Sequence, residues 1–266
     1  MPHKKRYGQH FLHEVTILEK IIHAADLHPE DHVLEIGPGA GALTAYIVPR
    51  VQQIIAVEID GDLISSLNTR YGDNPSFQLI HADILKCDWN ELFLGKRLRL
   101  ISNLPYQITS PLLYRCMEQS NIIVDMVLML QADVVDRMLA HPGTKVYGGL
   151  SVVCQFYYSM NKICKVSRGC FTPPPRVESA VIQLVPREEK ILCHNEEWFR
   201  CIVKKAFLQR RKTLNNALKP WFKADLYGVD GQRRPETLSV DEYVGLANST
   251  LEVGQEVLNK TAGGGN

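Results

Sequence analysis

Two short segments of this 266-residue chain bring together residue types that can do chemistry. In the first, Val33-Leu34-Glu35-Ile36 runs straight into Gly37-Pro38-Gly39-Ala40-Gly41. A strand that ends in a glycine-rich turn before a helix lets the backbone approach a nucleotide closely, with helix N–H groups directed at it. Glu58 follows 21 residues after Gly37, at the end of the next apolar run. An acid at that distance can accept hydrogen bonds from both ribose hydroxyls. Asp83 closes a third run and is placed to accept from an adenine amino group. The spacing is G-x-G-x-G, so the third glycine falls one residue early for the dinucleotide pattern G-x-G-x-x-G. A weaker pyrophosphate signature suits a cofactor without phosphate, of which S-adenosylmethionine is the common one. The glycines alone would equally describe an ordinary strand-to-helix turn. With Glu58 and Asp83 in register, Gly37, Gly39, Glu58 and Asp83 are expected to bind such a cofactor.

The second segment is Ser102-Asn103-Leu104-Pro105-Tyr106, directly after the run Leu98–Ile101. An exocyclic amine is a poor nucleophile because its lone pair is delocalised into the base. Acceptors on its two N–H groups hold the nitrogen towards tetrahedral geometry and free the lone pair. The Asn103 side-chain oxygen and the Leu104 carbonyl, exposed by the turn that Pro105 enforces, are the expected acceptors. Tyr106 is expected to stack on the base. Four such residues after a strand are often only a turn; what raises them above that is the cofactor loop earlier in the chain.

These segments need a scaffold, and the first two thirds of the chain supply its rhythm. His32–Ile36, Ile54–Val57, Phe77–Ile80, Leu98–Ile101, Asp125–Gln131 and Ala180–Val185 read as buried strands, alternating with helical stretches such as Val15–Ala25, Asp62–Tyr71 and Val134–His141. That pattern predicts an α/β fold, an open doubly wound sheet with its ligand at the carboxyl ends of the strands. After Pro186 the pattern changes: Glu196–Leu218 carries apolar residues mostly three and four apart, and Ser239 with Asp241 and Glu242 looks like a helix start. The expected division is a catalytic domain over 1–186, a small helical domain over 187–258, and a flexible tail over 259–266.

Composition narrows the functional classes. Forty-five per cent hydrophobic and 22% charged residues exclude a fibrous or wholly disordered chain. Seven cysteines without a C-x-x-C spacing fit neither a disulfide framework nor a tetrathiolate zinc site, so free thiols in a reducing compartment and no metal are expected. The longest uncharged run, Val146 to Asn161, has 16 residues, against the roughly 20 that a membrane span needs. The basic start lacks the apolar stretch of a signal peptide. A soluble, cytoplasmic protein is expected.

Gly8-Gln9-His10-Phe11-Leu12, IGPGAGALT, VEID, HAD, NLPYQITSPLL, YGGLSVV, FTPPPRVESAV and AFLQRRKTLNNAL occur in this order between about residues 4 and 220. Together they resemble the ribosomal RNA adenine dimethyltransferases, and most of all the small-subunit branch. The resemblance implies a Rossmann-like class I S-adenosylmethionine-dependent methyltransferase sheet with a small helical C-terminal domain. It implies methylation of N6 on two adjacent adenosines in the 3′-terminal hairpin loop of small-subunit rRNA, both ending as dimethyladenosine, on a small subunit or its precursor. A monomer is expected. Carried over by position, His10, Leu12, Gly37, Glu58, Asp83 and Asn103 would contact the cofactor, Asn103 to Tyr106 would hold the target amine, and Phe171 would close on the other face of the adenine. His10 and Gln107 depart from the asparagines usual in the family, and either can still hydrogen-bond. Two other readings are a large-subunit rRNA adenine methyltransferase and a non-catalytic RNA-binding factor. The FTPPPRVESAV and QRRKTLNNAL segments favour the small-subunit branch over the first, and Glu58 with NLPY argues against the second.

The net charge of +1 conceals a segregation. Residues 1–13 carry Lys4, Lys5 and Arg6 with no acid, and residues 204–223 carry seven cations with no acid, so the rest of the chain carries −9. Neighbouring like charges on a helix repel one another, which makes this more than a solvated face. Lys4, Lys5, Arg6, Lys204, Lys205, Arg210, Arg211 and Lys212 are the expected phosphate-binding residues. Ser159–Val177 is a third acid-free stretch, with four cations.

Overall fold

Runs of Val, Ile and Leu with little polar interruption become the centre of a seven-stranded sheet in the computed structural model of the chain. The structure describes residues 9–189 and 191–262. In chain order the strands are β1 (Phe11–Leu12), β2 (His32–Ile36), β3 (Gln53–Glu58), β4 (Phe77–His81), β5 (Leu98–Asn103), β6 (Ile123–Gln131), β7 (Tyr158–Val166), β8 (Phe171–Thr172) and β9 (Ser179–Pro186). The helices are α1 (Val15–Ala25), α2 (Thr44–Ile47), α3 (Gly61–Tyr71), α4 (Trp89–Phe93), α5 (Thr109–Glu118), α6 (Ala132–Met138), α7 (Gly149–Tyr157), α8 (Glu196–Leu208), α9 (Leu214–Leu218), α10 (Val240–Ser249) and α11 (Leu251–Ala262).

The large sheet has the order β4-β3-β2-β5-β6-β9-β7. β2 pairs in parallel with β3 and β5, β3 with β4, and β5 with β6, whereas β9 runs antiparallel to β6. The order reverses between β2 and β5, so their carboxyl ends diverge into a crevice, the usual ligand position in such sheets. The central strands are buried almost throughout, as their composition demands. β7 was not expected from the sequence. Its residues YSMNKICKV mix polar and apolar side chains because it is an edge strand that stays partly exposed.

A buried ion network spans the central strands. Arg99 on β5, 8% exposed, faces Asp125 in register on β6 and donates from Nε at 2.8 Å and from Nη2 at 2.7 Å, while Nη1 reaches Asp31 at 2.7 Å. Its charge is compensated by two carboxylates, the condition on which a buried guanidinium is tolerated.

The chain forms two compact units. Among the described residues the first holds everything up to Val135 together with Ser159–Pro186. The second holds Asp136–Tyr158 together with the chain from Arg187. The division expected after Pro186 is thus joined by an earlier excursion, 136–158, that belongs with the helical unit. That unit packs around aromatic rings: Phe156 lies 4.6 Å from Phe199 and Trp198 4.9 Å from Trp221 between centroids. Trp198 Nε1 donates to Thr250 at 2.8 Å. Ser239 caps α10 in a reciprocal box with Glu242. The single helix expected over Glu196–Leu218 is two, because five polar residues, Gln209–Thr213, interrupt the apolar stripe and Leu214 N–H turns to Arg233 at 2.8 Å. The last helix runs to Ala262, past the expected end at 258.

Candidate active site

The glycine turn after β2 is shaped by backbone that only glycine adopts freely. Gly41 has φ +79°, and a Cβ there would stand 2.8 Å from the Tyr71 ring, whose hydroxyl donates to the Gly41 carbonyl at 2.9 Å. Gly39 has φ +60°, and a Cβ would meet the Phe11 ring at 3.0 Å. The turn therefore lies against both α3 and the N-terminal segment. The helix expected after the turn, α2, is four residues long and starts at Thr44.

The turn opens on a cavity of about 350 Å³, within the ordinary range for small-molecule sites. Three carboxyl groups line it, Glu35, Glu58 and Asp83, and among the described residues no Lys or Arg does. Glu58 is 4% exposed, accepting from Asp60 N–H at 2.9 Å through Oε1 and from Gly39 N–H at 3.2 Å through Oε2. Burial raises its carboxyl above the ordinary value, opposed by those backbone donors. Each of its oxygens keeps a further lone pair for a ligand hydroxyl. Asp83 uses Oδ1 on Leu85 N–H at 3.0 Å, leaving Oδ2 for a ligand. Gln9 closes one side of the cavity by donating to Asp60 at 2.8 Å.

This lining separates the two ligands left open by the glycine spacing. A pyrophosphate would face the acids Glu58 and Asp83 and, among the described residues, find no Lys or Arg. The sulfonium and ammonium of S-adenosylmethionine would be drawn to those acids, so the chemistry of the lining fits that cofactor.

Glu35, which the sequence reading passed over as a strand residue, is the most perturbed acid of the site. It is 2% exposed and accepts from Thr44 Oγ1 at 2.7 Å. Burial, aided by the charge of Glu58, pushes its carboxyl from 4.5 up to about 8. A carboxyl protonated more readily in the folded than in the unfolded state stabilises the fold most below its unfolded value, and that contribution is lost as pH rises through the folded one. The ligand-free protein is therefore expected to lose thermal stability between about pH 4.5 and 8 from this group, and Glu35→Gln to flatten the profile. Parallel profiles for parent and variant in differential scanning calorimetry would refute the assignment.

At the end of β5, Asn103 Nδ2 donates to the His10 carbonyl at 3.4 Å, which leaves Oδ1 as an acceptor. Leu104 N–H is held by Met129 at 3.2 Å on β6. Asn103, Leu104, Pro105 and Tyr106 all line the cavity, together with His10, Leu12, Gly37 and Gly39. His10 Nδ1 is 2.7 Å from the Pro173 carbonyl, which can only accept, so that nitrogen carries the proton. Its ring lies 5.9 Å from that of Tyr106, tilted by 32°. Burial keeps the Tyr106 phenol above its ordinary value, so it stays neutral.

Phe171, expected against the adenine, is not among the residues that line this cavity. β8 pairs with β1, with Leu12 opposite Phe171. Strand alternation turns Thr172 outward and Phe171 into the buried cluster that includes Leu12, Val166 and Val181, at 3% exposure.

Lys4, Lys5 and Arg6 lie outside the described residues. Lys204, Arg211 and Lys212 are exposed. Lys205 is half-buried with its ammonium 5.6 Å from the Trp221 ring centre. Arg210 differs from its neighbours: its Nη2 donates to the Lys145 carbonyl at 2.6 Å and its Nε lies 3.8 Å from Glu236, so it braces the loop at 144–145. Among the described residues no group of three or more His, Cys, Asp or Glu side chains could hold a metal, and no helix is long and apolar enough to cross a membrane.

The model of the ribosomal RNA adenine dimethylase family matches residues 2–250. The ribosomal RNA small subunit methyltransferase A of Pseudomonas syringae pv. syringae is 43% identical over 256 residues, covering 94% of this chain and 95% of that one. Among solved structures, a dimethyladenosine transferase from Plasmodium falciparum superposes with a TM-score of 0.78 at 28% identity, over 92% of this chain and 98% of that one. The 23S rRNA methyltransferase ErmE follows with 0.69 at 25% identity, over 90% and 99%.

Proposed function

The chain belongs to the ribosomal RNA adenine dimethylase family, and from that membership we propose that it dimethylates N6 of two adjacent adenosines in the 3′-terminal hairpin loop of small-subunit rRNA. It is a methyltransferase of the Rossmann-like α/β class. The observation that carries the proposal is that Glu58 and the Asn103–Tyr106 turn, expected separately from the sequence, line one cavity. The 43% identity to a small-subunit enzyme, against 25% to a large-subunit one, favours the small-subunit substrate.

S-adenosylmethionine supplies an electrophilic methyl on a sulfonium when bound. Glu58 would hold its ribose, Asp83 its adenine amino group, and Gly37, Gly39, His10 and Leu12 would shape the remaining walls. On the other side, Asn103 Oδ1 and the Leu104 carbonyl accept the two N–H groups of the target amine, pulling its nitrogen out of conjugation and stabilising the positive charge that it acquires. Tyr106 stacks on the base, and the amine's extra proton passes to water. Positioning contributes most of the rate, with no covalent enzyme intermediate. Adenosines in a hairpin loop are easily splayed out, which lowers the cost of reaching the pocket. Action as a monomer, in the cytoplasm with its ribosomal substrate, is part of the proposal.

Unmethylated small subunits incubated with the protein and S-adenosylmethionine should yield N6,N6-dimethyladenosine at two neighbouring positions, read by nucleoside mass spectrometry and mapping. Methylation confined to large-subunit rRNA, or none at all, would overturn the proposal.

The exposed cations of the helical unit are the proposed phosphate contacts, joined by Lys4, Lys5 and Arg6. Each phosphate neutralised contributes about 0.7–0.9 to the slope of log affinity against log salt. Neutralising Lys204, Arg211 and Lys212 together should lower that slope by about 2 in filter binding to the rRNA hairpin; an unchanged slope removes them from the interface. Arg210 is left intact because its loss would release the 144–145 loop.

A further inference from the structure

Tyr106 stands on a single 3-10 turn, Tyr106–Ile108, which offers few neighbours of its own to hold the ring. The far end of its side chain is held by a residue from two strands away. The phenol oxygen and Ser179 Oγ form a hydrogen bond of 2.6 Å, and Ser179 is 0% exposed. Ser179 does not line the cavity, so whatever it does there it does through the tyrosine.

The sheet topology explains why it is available. β9 is antiparallel to β6, so its first residue lies where the parallel strands end. The register sets Asn103 opposite Met129 and Gln131 opposite Ser179. The chain that leaves FTPPP thus delivers a buried hydroxyl to the edge of the sheet that carries Asn103. The neighbouring His10 ring contacts Tyr106 through a tilted face, which limits its position loosely; a short hydrogen bond at the opposite end of the ring is directional.

We propose that Ser179 is a positioning residue for methyl transfer, its hydroxyl pinning the Tyr106 phenol and thereby setting the plane on which the target adenine lies. The proposal rests on the reading of Tyr106 as the stacking platform. A small misplacement of a reacting group is costly because the amine must lie in line with the transferred methyl.

Ser179→Ala should lower kcat/KM on unmethylated small subunits about tenfold, mostly in kcat, and leave the calorimetric Kd for S-adenosylmethionine within about twofold. Tyr106→Phe removes the same bond from its half-buried end, where folding is not at risk, and should lose about as much. The double variant should lose no more than either single one, because both remove one interaction. A serine needed only for the fold would lower the unfolding midpoint and give additive losses in kcat, which would overturn the proposal, as would Ser179→Ala turning over within twofold of the parent. Tyr106→Ala separates the two layers of the argument. If it keeps parental kcat/KM, the stacking platform falls and Ser179 with it; if it is defective while Ser179→Ala is not, only the role of Ser179 falls.

Discussion

Asn103→Ala abolishes most methyl transfer, with kcat falling about 10²–10³-fold, the cost typical of removing one aimed polar group from a reacting centre. The substitution deletes Oδ1, the acceptor proposed to draw the target amine out of conjugation, and with it a dipole that would face the charge growing on nitrogen. Most of the cavity lining is other residues, so the cofactor Kd should stay within about tenfold, since 1.4 kcal/mol is the scale of one hydrogen bond. Single-turnover assays on unmethylated small subunits, with calorimetry for the cofactor, distinguish these effects. Turnover near the parent's would remove Asn103 from the chemistry.

Asn103→Asp refines the result. A carboxylate still accepts from the amine, but it cannot donate to the His10 carbonyl as the amide does at 3.4 Å. The side chain then loses the contact that decides which of its atoms faces the cavity. Activity between that of the parent and Asn103→Ala is expected. This dependence ties the catalytic turn to the GQHFL segment, whose His10 is itself anchored on Pro173.

The parts of this site legible from the sequence were those carried by local pattern. The bounds of β2 and α1 follow from apolar runs and period, and strand ends place Gly37, Glu58, Asp83 and Asn103 because a doubly wound sheet collects carboxyl ends on one edge. What stayed hidden depends on pairing between distant strands. Which way Phe171, the first residue of FTPPP, faces is decided by the β1–β8 pair. Ser179 reaches the catalytic edge only because β9 reverses direction. Glu35 reads as one residue of a buried strand until its neighbours show a carboxyl with no cation among the described residues around it. In the helical unit, Arg210 sat in a run of cations whose members were indistinguishable by type, although one of them is committed to holding a loop.

Glu58→Ala should raise the Kd for S-adenosylmethionine about 10²-fold, the loss of two charge-assisted hydrogen bonds partly offset by the release of a buried acid. In the proposed role Glu58 acts on both sides at once: its oxygens take N–H groups from Asp60 and Gly39 and would present their remaining lone pairs to the ribose. Removing the side chain therefore deletes ligand acceptors and frees the glycine turn. Glu58→Gln is the sharper variant, because its NH2 group must meet the N–H of Gly39 or of Asp60, donor against donor, and it too should bind the cofactor weakly. At saturating cofactor, kcat for Glu58→Ala should recover to within about tenfold of the parent, since Asn103 and Tyr106 are untouched. That split between binding and turnover is opposite to the one expected of Asn103→Ala. An unchanged Kd in calorimetry would remove Glu58 from the ribose, and a kcat that stays low at saturation would place it in the transfer step instead.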